Sequence, residues 1–202
     1  MISNFTGIIL SGGKSSRMGE DKAFKLFSGR PLIEIVIEKM SSLFEDLLIV
    51  TNSPHLYKEY SIRTVSDVVK DCGPLGGIYT GLLSSPKNNN FIVACDMPFL
   101  NENLVKFMAK QHEEYDVIIP QFKGLFEPLC AVYSKNCIKP IEKALSNRNF
   151  KMIDFLGDVK VRVINEKEIS DFDKEALSFI NINTPLDCED NQTKIQRKSV
   201  GV

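Results

Sequence analysis

Five short runs rich in β-branched and aromatic residues punctuate the chain, at 5–10, 47–51, 91–95, 116–120 and 159–164, and several are apolar at every position. A strand apolar throughout must be covered on both faces, which an open antiparallel sheet rarely provides. The intervening segments carry helical spacing. Between 32 and 44 the apolar residues are Leu32, Ile33, Val36, Ile37, Met40, Leu43 and Phe44, and 102–111 and 137–145 repeat the pattern less regularly. Strands buried on both sides and separated by amphipathic helices predict an α/β fold, a three-layer α/β/α unit around a mostly parallel central sheet. With 202 residues, 43% hydrophobic and 25% charged, one such domain over 1–190 accounts for the length. The polar, basic stretch 191–202 reads as a loosely ordered tail.

Other classes fall away on composition. The 25 basic and 26 acidic residues leave a formal charge of −1, which gives no basis for bulk binding to nucleic acid or a membrane surface. The start of the chain lacks the basic opening of a secretory signal, and Ile8-Ile9-Leu10 is too short for its apolar segment. No run approaches the ~20 apolar residues that cross a bilayer, so the expectation is a cytoplasmic protein. Cysteines at 72, 95, 130, 137 and 188 form no C-x-x-C pair and read as small buried apolar residues. His55 and His112 lie far from any nucleophile-like motif, and both are expected at the surface.

Three segments carry chemistry. Directly after the first strand comes Leu10-Ser11-Gly12-Gly13-Lys14-Ser15-Ser16-Arg17-Met18-Gly19, then Asp21-Lys22. Glycines there allow a sharp turn with backbone N–H groups facing an anion, and Lys14, Arg17 and Lys22 add positive charge. Phosphate is the natural guest, although local chemistry also allows a solvated turn. A Walker A loop would need glycine at position 8, where Ile8 stands, and no two glycines have the G-x-G spacing of the dinucleotide fingerprint. The second segment is Asp67 followed by Asp71-Cys72-Gly73-Pro74-Leu75-Gly76-Gly77-Ile78. It suits close backbone approach to a base or ribose, or simply a strand-to-helix turn with proline in the first helical turn. The third, Phe91 to Pro98, ends an apolar strand on Asp96. A carboxylate at the C-terminal edge of a parallel sheet suits Mg²⁺ held beside phosphate oxygens, and helix capping is its alternative use.

Together these motifs resemble the nucleotidyltransferases of the nucleotide-diphospho-sugar transferase (GT-A-like) fold. Gly12-Gly13, Gly73-Pro74-Leu75-Gly76-Gly77, Cys95-Asp96-Met97-Pro98 and Asn181-Ile182-Asn183-Thr184-Pro185 are similar to the molybdenum cofactor guanylyltransferase branch, in order from about residue 7 to about residue 186. The resemblance implies transfer of GMP from GTP to molybdenum-molybdopterin, with Mg²⁺ as cofactor and pyrophosphate as the other product. It also implies that the pterin is handed over by a cofactor-synthesis protein. The implied GTP contacts are Leu10, Ser11, Gly12, Lys22, Asp67 and Asp96, with Asp96 also the metal ligand. Asn52 stands near the place of the family's asparagine after the second strand, within Thr51-Asn52-Ser53. Gly13 and the pair Gly76-Gly77 leave room for a purine, with Gly13 and Gly76 among the expected GTP contacts, and Arg17, Lys22 and Asp96 form the implied catalytic set. The rival expectations are a sister enzyme using CTP or a sugar phosphate, and a non-catalytic nucleotide-binding module.

Overall fold

The structure is a computed structural model and describes residues 1–12 and 22–182. Its first strand, β1 (Ile2–Leu10), is followed by a small hairpin of β2 (Leu26–Phe27) and β3 (Arg30–Pro31), then by helix α1 (Leu32–Leu43). Next come β4 (Phe44–Val50), β5 (Arg63–Val65), α2 (Gly73–Ser84), β6 (Asn89–Ala94) and α3 (Glu102–Ala109). The second half holds β7 (Val117–Phe122), β8 (Leu125–Phe126), β9 (Cys130–Ser134), α4 (Ile138–Ser146), β10 (Val161–Ile164) and α5 (Glu166–Ser170). The main sheet has the order β10-β7-β9-β6-β1-β4-β5, with β8 added to β7. β1 lies parallel between β4 and β6, Ile8 facing Leu48 on one side and Ile92 on the other. Only β9 and the short β8 run against the rest.

The sheet is covered on both faces, as its apolar strands require. Phe5 and Ile9 of β1 pack with Ile33, Val36 and Met40 of α1 and with Leu104 and Met108 of α3. The alternate residues Ile8 and Leu10 pack with Ile78 and Leu82 of α2 and Ile141 of α4. Gly7 sets the depth of the first layer. A Cβ there would stand 2.7 to 2.8 Å from side-chain carbons of Leu47, Met40 and Phe44, so any larger residue would force these side chains to repack.

All five expected strands and three expected helices are present, with ends shifted by a few residues. The largest shifts are at the starts of β1 and β4, which begin three residues early at Ile2 and Phe44. Phe44, expected to close α1, instead adopts extended backbone and opens β4. β5 and β9 add two strands that the apolar runs did not mark. His112 departs from the surface expectation: it is half-buried, meets Phe5 edge-on at 5.2 Å between ring centres, and bonds to the Ala109 carbonyl at 2.8 Å. His55 is exposed, and Cys72, Cys95, Cys130 and Cys137 are buried and unbridged. Cys188 and the tail lie outside the described residues. Among the described residues no helix is long and apolar enough to cross a membrane.

Candidate active site

The ends of three parallel strands are laced together at one edge of the sheet. The Ser11 amide donates to the Val50 carbonyl at 2.8 Å, and the Cys95 amide donates to the Leu10 carbonyl at 3.0 Å. The loop after β1 therefore leaves the fold between β4 and β6, at the carboxyl edge where open α/β sheets bind ligands. Ser11 is buried, and its hydroxyl lies 2.5 Å from that of Tyr57, itself buried on the 3₁₀ segment Pro54–Tyr60. Tyr57 in turn packs on Phe24 at 5.3 Å, beside the short turn Lys22–Phe24. Two elements after different strands thus fix where the loop begins and where it returns. Gly12 is exposed, and a Cβ on it would meet nothing within 4 Å. Among the described residues nothing demands glycine there. Gly13, Lys14 and Arg17 lie outside the described residues.

Asp96 lies two residues beyond the end of β6 and is half-buried. Burial pushes its carboxyl pKa up, while the nearby Lys22 ammonium and a backbone hydrogen bond pull it back down. Lys22, distant in sequence, thus lies near enough for its charge to act on Asp96. The capping alternative for Asp96 is removed, because the Asn101 side chain caps α3 by accepting from the amides of Asn103 and Leu104 at 3.0 and 3.1 Å. The Asp96 carbonyl accepts from the Ile182 amide at 2.9 Å, which ties the Asn181-Ile182 segment to the same edge. Asn183, Thr184 and Pro185 of that motif lie outside the described residues.

Asn52 and Asp67 form a reciprocal pair. The Asn52 amide donates to Asp67 Oδ2 at 2.7 Å, and the Asp67 backbone amide donates to Asn52 Oδ1 at 3.2 Å. Asp67 Oδ1 is buried and has no hydrogen-bond partner among the described residues. A buried carboxylate oxygen without a donor is costly, on the order of 1–3 kcal/mol, and an N–H of a bound ligand would relieve it. The two glycines of α2 differ in what they do. A Cβ on Gly76 would stand 2.9 Å from Cys72 Cβ and 3.2 Å from the Val69 carbonyl, so packing alone demands glycine. A Cβ on Gly77 would lie in ordinary contact, 3.5 Å from Leu10 and 3.9 Å from Asp67 Oδ1. Gly77, not Gly76, keeps space open beside the orphaned oxygen. Sequence reasoning also passed over Tyr57, whose role depends on a long-range hydrogen bond, and Glu127, whose burial pushes its carboxyl up to about 7. A cleft of about 500 Å³ lined by Lys39, Asn101, Phe172 and Lys174, among others, holds none of the expected residues.

Residues 7–159 match the MobA-like NTP transferase domain, a span that contains every described element of this edge but Ile182. The chain belongs to that family. A "probable molybdenum cofactor guanylyltransferase" from Natranaerobius thermophilus is 42% identical over 195 residues, covering 94% of this chain and 95% of the relative. Among solved structures, the molybdopterin-guanine dinucleotide biosynthesis protein A from Archaeoglobus fulgidus superposes with a TM-score of 0.82 at 27% identity, covering 95% of this chain and 99% of that one. The 4-diphosphocytidyl-2C-methyl-D-erythritol synthase from Anaerococcus prevotii shares the fold, with a TM-score of 0.70 at 18% identity over 96% of both chains. The expected three-layer fold and the nucleotidyltransferase class both stand. The laced edge at Leu10, Ser11, Asn52, Asp67 and Asp96 is the candidate active site, and it lies within the matched span.

Proposed function

We propose that this protein transfers GMP from GTP to the terminal phosphate of molybdenum-molybdopterin, forming molybdopterin guanine dinucleotide and releasing pyrophosphate. The observation that carries the reading is the lacing of the β1, β4 and β6 ends, which sets the emerging Leu10–Gly12 backbone at the same edge as Asp96. In the reaction an acceptor phosphate oxygen forms a bond to the α-phosphorus of GTP, and the bond from that phosphorus to the bridging oxygen of pyrophosphate breaks. A phosphate monoester is already largely ionised at neutral pH, since its second pKa is about 6, so no general base is required. The half-buried histidine at 112 and the exposed one at 55 are accordingly not needed for chemistry.

The task is to bring two polyanions together and to stabilise charge on the leaving pyrophosphate. Lys22 supplies a cation near Asp96, and among the described residues nothing crowds the Gly12 backbone where the phosphates would sit. Asp96 suits Mg²⁺, which commonly takes one or two protein carboxylates and completes its shell with phosphate oxygens and water. When bound, Mg²⁺ supplies neutralisation of the triphosphate charge. Asp67 Oδ1 is placed to accept an N–H from the nucleotide, in the space left by Gly77.

Titration calorimetry with each nucleoside triphosphate and Mg²⁺, paired with pyrophosphate release in the presence of molybdopterin, tests the proposal. GTP should bind at least about tenfold more tightly than CTP, because one unpaired buried group costs ~1–3 kcal/mol and 1.4 kcal/mol is tenfold in affinity. Equal binding of CTP, or no pyrophosphate release with GTP and molybdopterin, would overturn it.

A further inference from the structure

Beyond Asp96 the catalytic edge continues into a second surface that the nucleotide does not account for. β7 pairs with β9 only at Val117 and Ile118, then runs on and folds back as β8. Lys123 and Gly124 make the turn, both with positive φ, as a tight two-residue hairpin loop requires. The Lys123 amide donates to the Glu166 carboxylate at 2.8 Å, which pins the hairpin to α5. Because β7 runs the same way as β6, the hairpin projects past the same edge that carries Asp96.

One face of this hairpin has an unusual makeup. Phe122 pairs with Leu125, and the Glu127 amide donates to the Pro120 carbonyl at 2.9 Å, so Phe122, Leu125 and Glu127 share a face. Phe122 packs on Phe179 at 6.0 Å and remains half-exposed, and the Lys123 ammonium lies 5.2 Å from its ring centre. Leu125 is 70% exposed. Glu127 is half-buried, its backbone is held at both ends, with its carbonyl accepting from Cys130 at 3.0 Å, and its carboxyl has no hydrogen-bond or ion-pair partner among the described residues. The β9 strand it precedes pairs directly with β6, and the Leu129 carbonyl accepts from Ala94 at 3.2 Å, two residues before Asp96.

We infer that this face is the acceptor side of the active site, where a flat heteroaromatic ring rests on Phe122 and donates its amino and ring N–H groups to the Glu127 carboxylate. The inference rests on the guanylyl-transfer reading and adds to it the residues that select the acceptor. The 2-amino-4-oxo edge of a pterin offers two adjacent N–H donors, which match the two oxygens of one carboxylate. Burial pushes Glu127 up to about 7, and among the described residues no donor or cation meets its oxygens. An aromatic ring set beside such a carboxylate fits a planar, polar-edged molecule better than a sugar or an aliphatic chain. The exposed Leu125 and the Lys123 ammonium at the tip would flank the ring.

The test uses the full chain and two free pteridines, pterin and lumazine, which carries an oxygen in place of the 2-amino group. The wild type should bind pterin at least about tenfold more tightly than lumazine, followed by ligand fluorescence. Glu127→Gln should erase most of that preference, and Glu127→Asp should restore part of it. In turnover at saturating GTP, Glu127→Gln should raise KM for molybdopterin about tenfold or more and leave KM for GTP unchanged. If Glu127→Gln keeps the pterin preference, or shifts both KM values alike, the acceptor role of Glu127 is wrong while guanylyl transfer stands. If the wild type releases no pyrophosphate from GTP with molybdopterin, the underlying reading fails and this one goes with it.

Discussion

Adjacent glycines at 76 and 77 should respond in opposite directions to the same added methyl group. Both lie in the first turns of α2, where alanine is favoured over glycine by roughly 0.5–1 kcal/mol because it loses less backbone entropy. At Gly77 nothing opposes that gain, since the new Cβ would rest 3.5 Å from Leu10 and 3.9 Å from Asp67 Oδ1. Gly77→Ala should therefore raise the unfolding free energy of the unliganded protein by about 0.5–1 kcal/mol, or ~1–4 °C in Tm for a domain of this size. At Gly76 the methyl would sit 2.9 Å from Cys72 Cβ and 3.2 Å from a backbone carbonyl, and neither is a flexible side-chain end. Overpacking of this kind costs ~1–3 kcal/mol, which outweighs the helix gain, so Gly76→Ala should destabilise. Binding should separate from stability: Gly77→Ala fills the space beside the orphaned carboxylate oxygen and should weaken GTP at least several-fold. Urea denaturation without nucleotide, followed by calorimetric titration with GTP and Mg²⁺, reads both quantities. A Gly77→Ala protein that binds GTP as well as the wild type would remove Gly77 and Asp67 from the nucleotide site.

Three further outcomes are expected. Asp96→Asn should keep the fold and lower kcat ~10²–10³-fold, as losses at sites of transition-state charge do, and full turnover at limiting Mg²⁺ would take Asp96 out of the metal site. Tyr57→Phe removes the partner of the buried Ser11 hydroxyl and should cost ~1–3 kcal/mol in denaturation, with weaker GTP binding because the loop after β1 loses its anchor; unchanged stability would mean the two hydroxyls do not depend on each other. Glu127 gives a pH signature. Its folded pKa of about 7 lies above the ~4.3 of a free glutamate, so the folded chain holds a proton that the unfolded chain releases between those values, and stability falls as pH rises through that window. Glu127→Gln should therefore gain stability relative to the wild type at pH 8 and not at pH 4. The gain should be a few tenths to ~1 kcal/mol once partial solvent access is allowed for, and an equal shift at both pH values would rule out the raised pKa as its cause.

The sequence made the parallel half of the fold legible because strands buried on both faces must be apolar throughout, as 5–10 and 91–95 are. β9 was harder to see. Its run Cys-Ala-Val-Tyr-Ser is short and mixed, and its direction is a property of its neighbours rather than of its residues. β5 has only three residues and forms because β4 offers it an edge. Asp96 and Lys22 could be chosen from chemistry at a strand end and in a loop, and the Lys22 charge acts on the Asp96 carboxyl. Asn52 had little local signal, since its significance lies in a pair of bonds to Asp67, fifteen residues on. The division of labour between Gly76 and Gly77 is written in distances to Cys72, Val69 and Leu10, which no local pattern encodes. His112 was misplaced for a similar reason: a polar residue after a helix reads as exposed until Phe5 is found beneath its ring.

The reversed direction of β9 has a consequence for how such an enzyme could change its acceptor. A parallel strand reaches the reactive edge once and leaves by way of a helix, so its loop is moored to one strand end. Here the chain goes out along β7 and comes straight back along β9, and both moorings lie in the same sheet. The span between them behaves as a cassette, short, doubly anchored and pinned again at Glu166. Closing so short a loop costs little entropy, and its length can vary without moving either strand. Leu10, Asn52 and Asp67 hang from the other side of β6, on strands or loops with which the cassette does not pair. A lineage could therefore rewrite what receives the nucleotide while the part that holds the nucleotide stays as it is.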